Sequence, residues 1–281
     1  MSDVLVREKP TLILDKNVLQ GISRADYLAL GEQFHLVMPD VLFFECLKAT
    51  SSERASCFRT LPAGDRPIVL THNFAHHLRH ELEHGQPLGR PSEHTLEFNY
   101  RFNPKLLEVG PLPPEVTETI ETLREEHLAK VPEYVERIRA MHARLSVICS
   151  ERAITRPAAV DAIQAELLDL PTIREFMRDV RSPDGREYLR SVELLERDSA
   201  VIVHFQISHA LALRRALDQG RDFEDEATVE RLTSDLSREL FDAEYLMLGV
   251  LEGGLATHEK RLRRLFHWLR PEGLLWPPWS N

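Results

Sequence analysis

The 281-residue chain has only three cysteines, Cys46, Cys57 and Cys149, odd in number, far apart and without a C-x-x-C pair. That excludes a disulfide framework and a cysteine zinc site, so the thiols read as buried or incidental. No run of about 18 apolar residues occurs anywhere, which leaves no candidate membrane span. The opening stretch Met1 to Lys9 carries Asp3 and Glu8 before a short apolar run, unlike a signal peptide. A soluble, cytoplasmic protein with no membrane partner is the expectation. Internal repeats, low-complexity tracts and Gly/Ser linkers are also missing. Positive charge is in deficit: 35 Lys and Arg stand against 45 Asp and Glu, a net charge of -10 and a pI near 5.7. Diffuse basic attraction to DNA is thereby disfavoured, because such binding draws on phosphate neutralisation, but a nuclease with a local basic rim is not. What is present, 43% apolar and 28% charged residues, is the composition of a globular chain.

The order of patterns predicts an α/β core. Thr11-Leu-Ile-Leu14 is a short apolar run that stops at Asp15-Lys16-Asn17, as a buried strand does at a polar carboxyl end. Ser23 offers an N-cap for a helix to Gly31, Phe34 to Met38 reads as a second strand, and a helix follows from Pro39-Asp40 to about Thr50. Strand, helix, strand, helix is the alternation of a parallel sheet. Arg66 to Leu70 suits a further strand, and from Asn73 the text turns helical and His-rich, then passes a loop punctuated by prolines, Pro104 among them. After Pro114 apolar residues recur three or four apart with a break at Pro132, and more helices are expected over 158–170, 172–180, 184–219 and 226–240. Asp242 should open a further helix to Gly249, followed by a strand at Leu255-Ala256-Thr257 and an amphipathic helix from Lys260 to Leu269.

An acid at the carboxyl end of a buried first strand lies where ligands bind in open α/β sheets, although Asp15 and Asn17 could equally form an Asx turn. The flanking text is more specific. Leu14-Asp15-Lys16-Asn17-Val18-Leu19, then Met38-Pro39-Asp40-Val41-Leu42-Phe43-Phe44-Glu45, resembles the opening of a PIN-domain nuclease. Phe241-Asp242-Ala243-Glu244 looks like that family's third acidic position at a helix start, and Ala256-Thr257-His258-Glu259 like its Thr-x-Asp motif, with Glu in place of Asp. The resemblance implies a three-layer α/β/α PIN-like core with a central parallel sheet, formed by residues 1–55 and 236–281. The stretch 56–235 is then a mainly α-helical insertion packed on that core. It also implies a metal-dependent ribonuclease, of a kind often found among toxins or RNA-processing enzymes.

The chemistry is coherent on its own terms. Phosphodiester hydrolysis needs an activated water and relief of developing negative charge, which carboxylate-held Mg²⁺ or Mn²⁺ supplies. Two carboxylates about 5 Å apart repel by roughly 3 kcal/mol at an effective dielectric near 20, so a cluster of acids calls for a cation. Asp15 and Asp242 are assigned as primary metal ligands, Glu45 as a ligand or water-orienting base, Glu259 as an outer-sphere carboxylate, and Asn17 and Thr257 as hydrogen-bonding supports. Lys260, Arg261, Arg263 and Arg264 follow the last acid on the outer face of an amphipathic helix. They form either a phosphate-binding rim for RNA or a solvated charged face.

His76, His80 and His84 are four apart and could share a helix face that holds zinc, yet Glu81 and Glu83 intervene and no cysteine helps, so polar-face histidines are the other reading. His72 and His77 extend the same cluster. Three function classes remain, each compatible with a homodimer: the metal-dependent nuclease; a catalytically weak PIN-like module that binds RNA or, through its insertion, a protein partner; and a phosphatase of the haloacid-dehalogenase type. The last needs a second Asp where Asn17 stands.

Overall fold

A computed structural model describes residues 9–62, 68–96, 111–178, 192–219, 223 and 225–278. In chain order the elements are β1 (Thr11–Leu14), α1 (Lys16–Gly21), α2 (Arg24–Gln33), β2 (His35–Pro39), α3 (Asp40–Lys48), α4 (Ser51–Thr60), β3 (Val69–Thr71) and α5 (Phe74–His84). There follow α6 (Pro114–Leu128), α7 (Val131–Glu151), α8 (Arg156–Leu168), α9 (Leu170–Arg178), α10 (Ala200–Gln219), α11 (Glu226–Glu252), β4 (Gly254–Ala256), α12 (Lys260–Leu269) and β5 (Leu274–Trp276). Pro104, residues 66 and 67 of the expected third strand, and 184–191 of an expected helix lie outside the described residues.

The chain divides into two compact units. One comprises Met1–Asn73, Gly89–Ile120 and Leu248–Asn281, the other Phe74–Leu88 and Glu121–Met247. These bounds differ from the expected 1–55 with 236–281, chiefly because β3 joins the sheet beside β2 and carries the first unit on to Asn73.

The first unit is α/β. Its five strands are all parallel in the order β3-β2-β1-β4-β5. Leu12, Ile13, Leu14, Val37, Met38, Leu255 and Ala256 are fully buried whichever way they face, as strands covered on both sides require. Ser23 caps α2 by accepting from the Asp26 N–H, and Thr50 and Glu53 form a capping box that starts α4, a helix the sequence reading passed over. α1, α2 and α3 each pack on α4. Cys46 and Cys57 are buried and Cys149 is half-buried, all three as free thiols.

The second unit is helical, and two expectations change there. Instead of one helix over 226–240 and another opening at Asp242, α11 runs unbroken for 27 residues. No Gly or Pro interrupts it before Gly249, and buried Leu236, Phe241, Leu248 and Leu251 continue its apolar side, so Asp242 is mid-helix. α10 begins at Ala200, where the buried Glu81 carboxylate accepts from the Ala200 N–H at 2.6 Å and satisfies an otherwise orphan donor.

A buried carboxylate ties three helices together. Glu239 on α11, 2% exposed, accepts from the Tyr134 hydroxyl on α7 at 2.9 Å and from Arg215 Nε on α10 at 2.7 Å. Removing the negative charge leaves Arg215 without its counter-ion in a largely buried setting, so Glu239→Gln is expected to cost about 2 kcal/mol in urea denaturation. Wild-type stability in that variant would show that the network contributes nothing.

Candidate active site at the carboxyl edge of the sheet

From β1 the chain builds the sheet outwards through β2 and β3, and later returns on the other side of β1 as β4 and β5. The topological switch therefore falls between β1 and β4, and ligands of open parallel sheets bind outside the strand ends at such a point. Asp15 is the first residue beyond β1 and Thr257 the first beyond β4, with Leu14 paired to Ala256. The two flank the switch point.

Their side chains are joined. Thr257 Oγ1 donates to Asp15 Oδ2 at 2.5 Å, Asn17 Nδ2 donates to the same oxygen at 2.7 Å, and the Asn17 N–H points at Oδ1 from 3.4 Å. Asn17 Oδ1 in turn accepts from the His258 N–H at 2.9 Å, and Thr257 Oγ1 accepts from the Glu259 N–H at 3.0 Å. Asp15 is 2% exposed and Thr257 fully buried. Burial pushes the Asp15 carboxyl up to about 6; the bonds from Thr257 and Asn17 pull the other way, and the negative charges of Glu45 and Glu259 add to the rise. Three of the four expected acids thus act on one another within this unit.

Glu45, on the second turn of α3, has a neighbour the sequence reading did not weigh. Lys16 Nζ lies 3.1 Å from Glu45 Oε1. Burial works to lower the Lys16 pKa, but the Glu45 charge and hydrogen bond prevail and hold the ammonium above its ordinary value. In the sequence Asp40 likewise reads only as a helix start. It opens α3 just past β2, Oδ2 receives Asn73 Nδ2 at 3.4 Å, and buried Oδ1 has no hydrogen-bond partner among the described residues. Burial raises its carboxyl to about 6 against opposing backbone bonds at Val41 and Asn73. The signal that marked Asp15, a strand stopping at an acid, was present at Met38-Pro39-Asp40 too.

The remaining expected residues are distributed as follows. Asp242 is half-buried on α11 and belongs to the helical unit. Glu259 stands at the N-terminal boundary of α12 without a side-chain capping bond, largely exposed and 3.9 Å from Arg261 Nε. Lys260 and Arg264 are exposed, and Arg261 is partly buried. Arg263, expected to meet phosphate, instead donates to the carbonyls of Thr257 at 3.1 Å and Pro278 at 3.0 Å, holding the segment after β4 against the chain end. It is half-buried and acts on the position of Thr257.

Beside this edge is an open cavity of about 350 Å³ lined by Ile22, Asp26, Leu30, Gln33, His258 and Trp276 among others. His258 meets the Trp276 ring edge to face at 5.5 Å. Trp276 carries no local signal because β5 is only three residues long and runs into Pro277, and His258 gains its role only through contact with that ring.

The described residues contain no group of three or more His, Cys, Asp or Glu side chains arranged around a metal position. His80 and His84 stack on each other, rings 4.2 Å apart, with His84 Nδ1 on the His80 carbonyl. The Asp15 setting nevertheless suits a hard divalent cation. Its carboxylates offer oxygen ligands, Asp15 is destabilised chiefly by burial and further by the charges of Glu45 and Glu259, and Mg²⁺ commonly takes only one or two protein carboxylates and keeps its waters. Comparison with known protein families, with curated proteins and with solved structures finds no match. No helix among the described residues is long and apolar enough to cross a membrane.

Proposed function

We propose that the chain is a metal-dependent endoribonuclease whose first unit is a three-layer α/β/α, PIN-like core. The observation that carries this reading is a buried, destabilised carboxylate, Asp15, held by Asn17 and Thr257 at the switch point of a parallel sheet, within the field of Glu45 and Glu259. Asp15 Oδ1 and the Glu259 carboxylate would hold Mg²⁺ or Mn²⁺. When bound, the ion supplies a water of lowered pKa and neutralises charge on the scissile phosphate. Asn17 and Thr257 fix the Asp15 plane by occupying Oδ2, and Glu45 accepts a proton from water while Lys16 keeps its charge balanced. Exposed Lys260 and Arg264 offer phosphate contacts, and the His258–Trp276 pair offers an unstacked base a ring surface, which favours single-stranded RNA. A cytoplasmic role as a toxin or an RNA-processing enzyme is part of this reading.

The test is cleavage of a labelled single-stranded RNA with Mn²⁺ or Mg²⁺, with EDTA, and with Asp15→Asn. Cleavage that needs metal and Asp15 is the expected outcome; cleavage by Asp15→Asn at the wild-type rate refutes the assignment. A second reading has one observation in its favour. The Lys16 ammonium already neutralises Glu45, as a catalytically weak RNA- or protein-binding module would need without metal. In that case Mn²⁺ gives neither cleavage nor a Tm increase that depends on Asp15.

A further inference from the structure

The helical unit contains a second site that the nuclease reading does not use. Between α7 and α10 lie two cavities, of about 320 and 410 Å³, both lined by Leu78, Glu133, Arg137, His204 and Ser208. Their walls are otherwise mostly apolar: Phe74, Leu211 and Met247 in the first, Leu82, Phe176 and Phe205 in the second. Phe176 and Phe205 stand 5.0 Å apart and Phe74 stacks on His204 at 6.1 Å, so aromatic faces bound much of the space. Cavities of this size lined by apolar side chains with a few convergent polar groups are the usual form of small-molecule sites.

The polar groups are few and specific. Ser208 is buried one helical turn beyond His204, and among the described residues neither its hydroxyl nor either ring nitrogen of His204 has a hydrogen-bond partner. These polar atoms are therefore free to meet a group held in the cavity. Arg137, mostly buried, bonds Glu133 at 2.7 Å, but the Glu133 side chain is 75% exposed and leaves much of the guanidinium fork open. Glu244, the other acid on the wall, is committed to the Phe74 N–H at 3.2 Å and to Lys130 at 3.6 Å.

The positive charge at this spot comes from Arg137 and Lys130, facing Glu133 and Glu244. Burial lowers His204 to about 4, and Arg137, His209 and Lys130 all push in the same direction. His209 is lowered to about 4 as well, by burial first and then by Arg137 and Arg144, against the bond to the Phe205 carbonyl. Both imidazoles are neutral near pH 7, so His204 can offer one ring N–H to a bound anion beside the Arg137 guanidinium.

We propose that the space formed by these two cavities, which share Arg137, His204 and Ser208, binds a small amphiphilic monocarboxylate, its apolar body among the aromatic and aliphatic walls and its carboxylate on those three residues. A single planar anion fits one guanidinium fork beside one neutral N–H and one hydroxyl. The site lies wholly in the helical unit and stands whether or not the first unit cleaves RNA.

The full chain is titrated with octanoate, octan-1-ol and octylamine, read by Tm and by calorimetry. Octanoate is expected to raise Tm saturably and to bind one per chain, at least about tenfold tighter than the alcohol or the amine, with Arg137→Gln weakening octanoate about tenfold and leaving octanol unchanged. Equal binding of octanol and octanoate, preference for octylamine, or no saturable shift with any of the three overturns the proposal. The comparison among ligands on the unmodified protein decides the matter even if Arg137→Gln does not fold.

Discussion

Asp15→Asn is expected to lower metal-dependent cleavage by about a hundredfold or more, the scale of losing a group that acts at the reacting centre. The same substitution should stabilise the metal-free protein near neutral pH. In the folded state the carboxyl is raised to about 6 from an ordinary value of 3.8, mainly by burial. Between those values the folded state binds more protons than the unfolded one, so stability is greatest below pH ~4 and falls as pH rises through ~6. A rise of that size corresponds to roughly 3 kcal/mol withheld at about pH 7.5. Asn keeps an oxygen for Thr257 Oγ1 and carries no charge, so it should recover about 1–3 kcal/mol at about pH 7.5 and nothing near pH 4. Urea denaturation of both proteins at the two pH values measures this, and saturating Mn²⁺ should shrink the difference by stabilising only the wild type. A variant that is less stable than wild type at neutral pH would mean that Asp15 is a structural carboxylate, held charged for the sake of the fold. Asp40, raised to about 6 by burial, adds a pH dependence of the same sign that persists in Asp15→Asn.

That pairing of lost activity with gained stability separates a built site from an incidental turn. An Asx turn would leave Asp15 solvated, and its replacement would change little. Here the carboxylate is taken out of water, given two side-chain donors on one oxygen, and set beside two further acids, a costly arrangement that a cation would relieve.

What was legible in the sequence follows the strength of local signals. Leu12 to Leu14 ending at Asp15, Ser23 as a cap, and the stripe of α12 are local patterns, and the strand-helix alternation led directly to an α/β fold. β5 has three residues and no alternation, so only its pairing with β4 identifies it. The length of α11 was misjudged because an acid at Asp242 resembled a helix start, whereas helix ends are set by breakers, and none stands there. In the site, Asp15, Asn17 and Thr257 were singled out by motif and are hydrogen-bonded to one another. Lys16 and Asp40 were passed over, because a charge balance and an orphaned oxygen are properties of neighbours brought together by folding. Arg263 shows the reverse: its charge advertised phosphate, and its geometry commits it to two carbonyls.

Gly254→Ala should be the most damaging small substitution in the first unit, and its effect should reach the site. A Cβ at this position would stand 2.1 Å from the Thr11 carbonyl oxygen, a backbone atom of the adjacent strand that cannot rotate away. β4 would have to move off β1, disturbing the Ile13–Leu255 and Leu14–Ala256 pairs. The expected cost is about 3 kcal/mol, the upper range for overpacking. Because Thr257 is carried by β4, the 2.5 Å bond to Asp15 should be lost with the register, and cleavage should fall even at temperatures where the variant remains folded. Gly253→Ala is the control. Gly253 has φ +82° with open space around it, so alanine there meets only left-handed backbone strain, about 1 kcal/mol, and leaves the strand pairing alone. Urea midpoints and cleavage rates of the two variants distinguish the terms: Gly253→Ala should lose stability and keep its rate when folded, Gly254→Ala should lose both. If Gly254→Ala cleaves at the wild-type rate once folded, the contact between β4 and β1 does not position Thr257, and the hydrogen bond to Asp15 is not what orders the site.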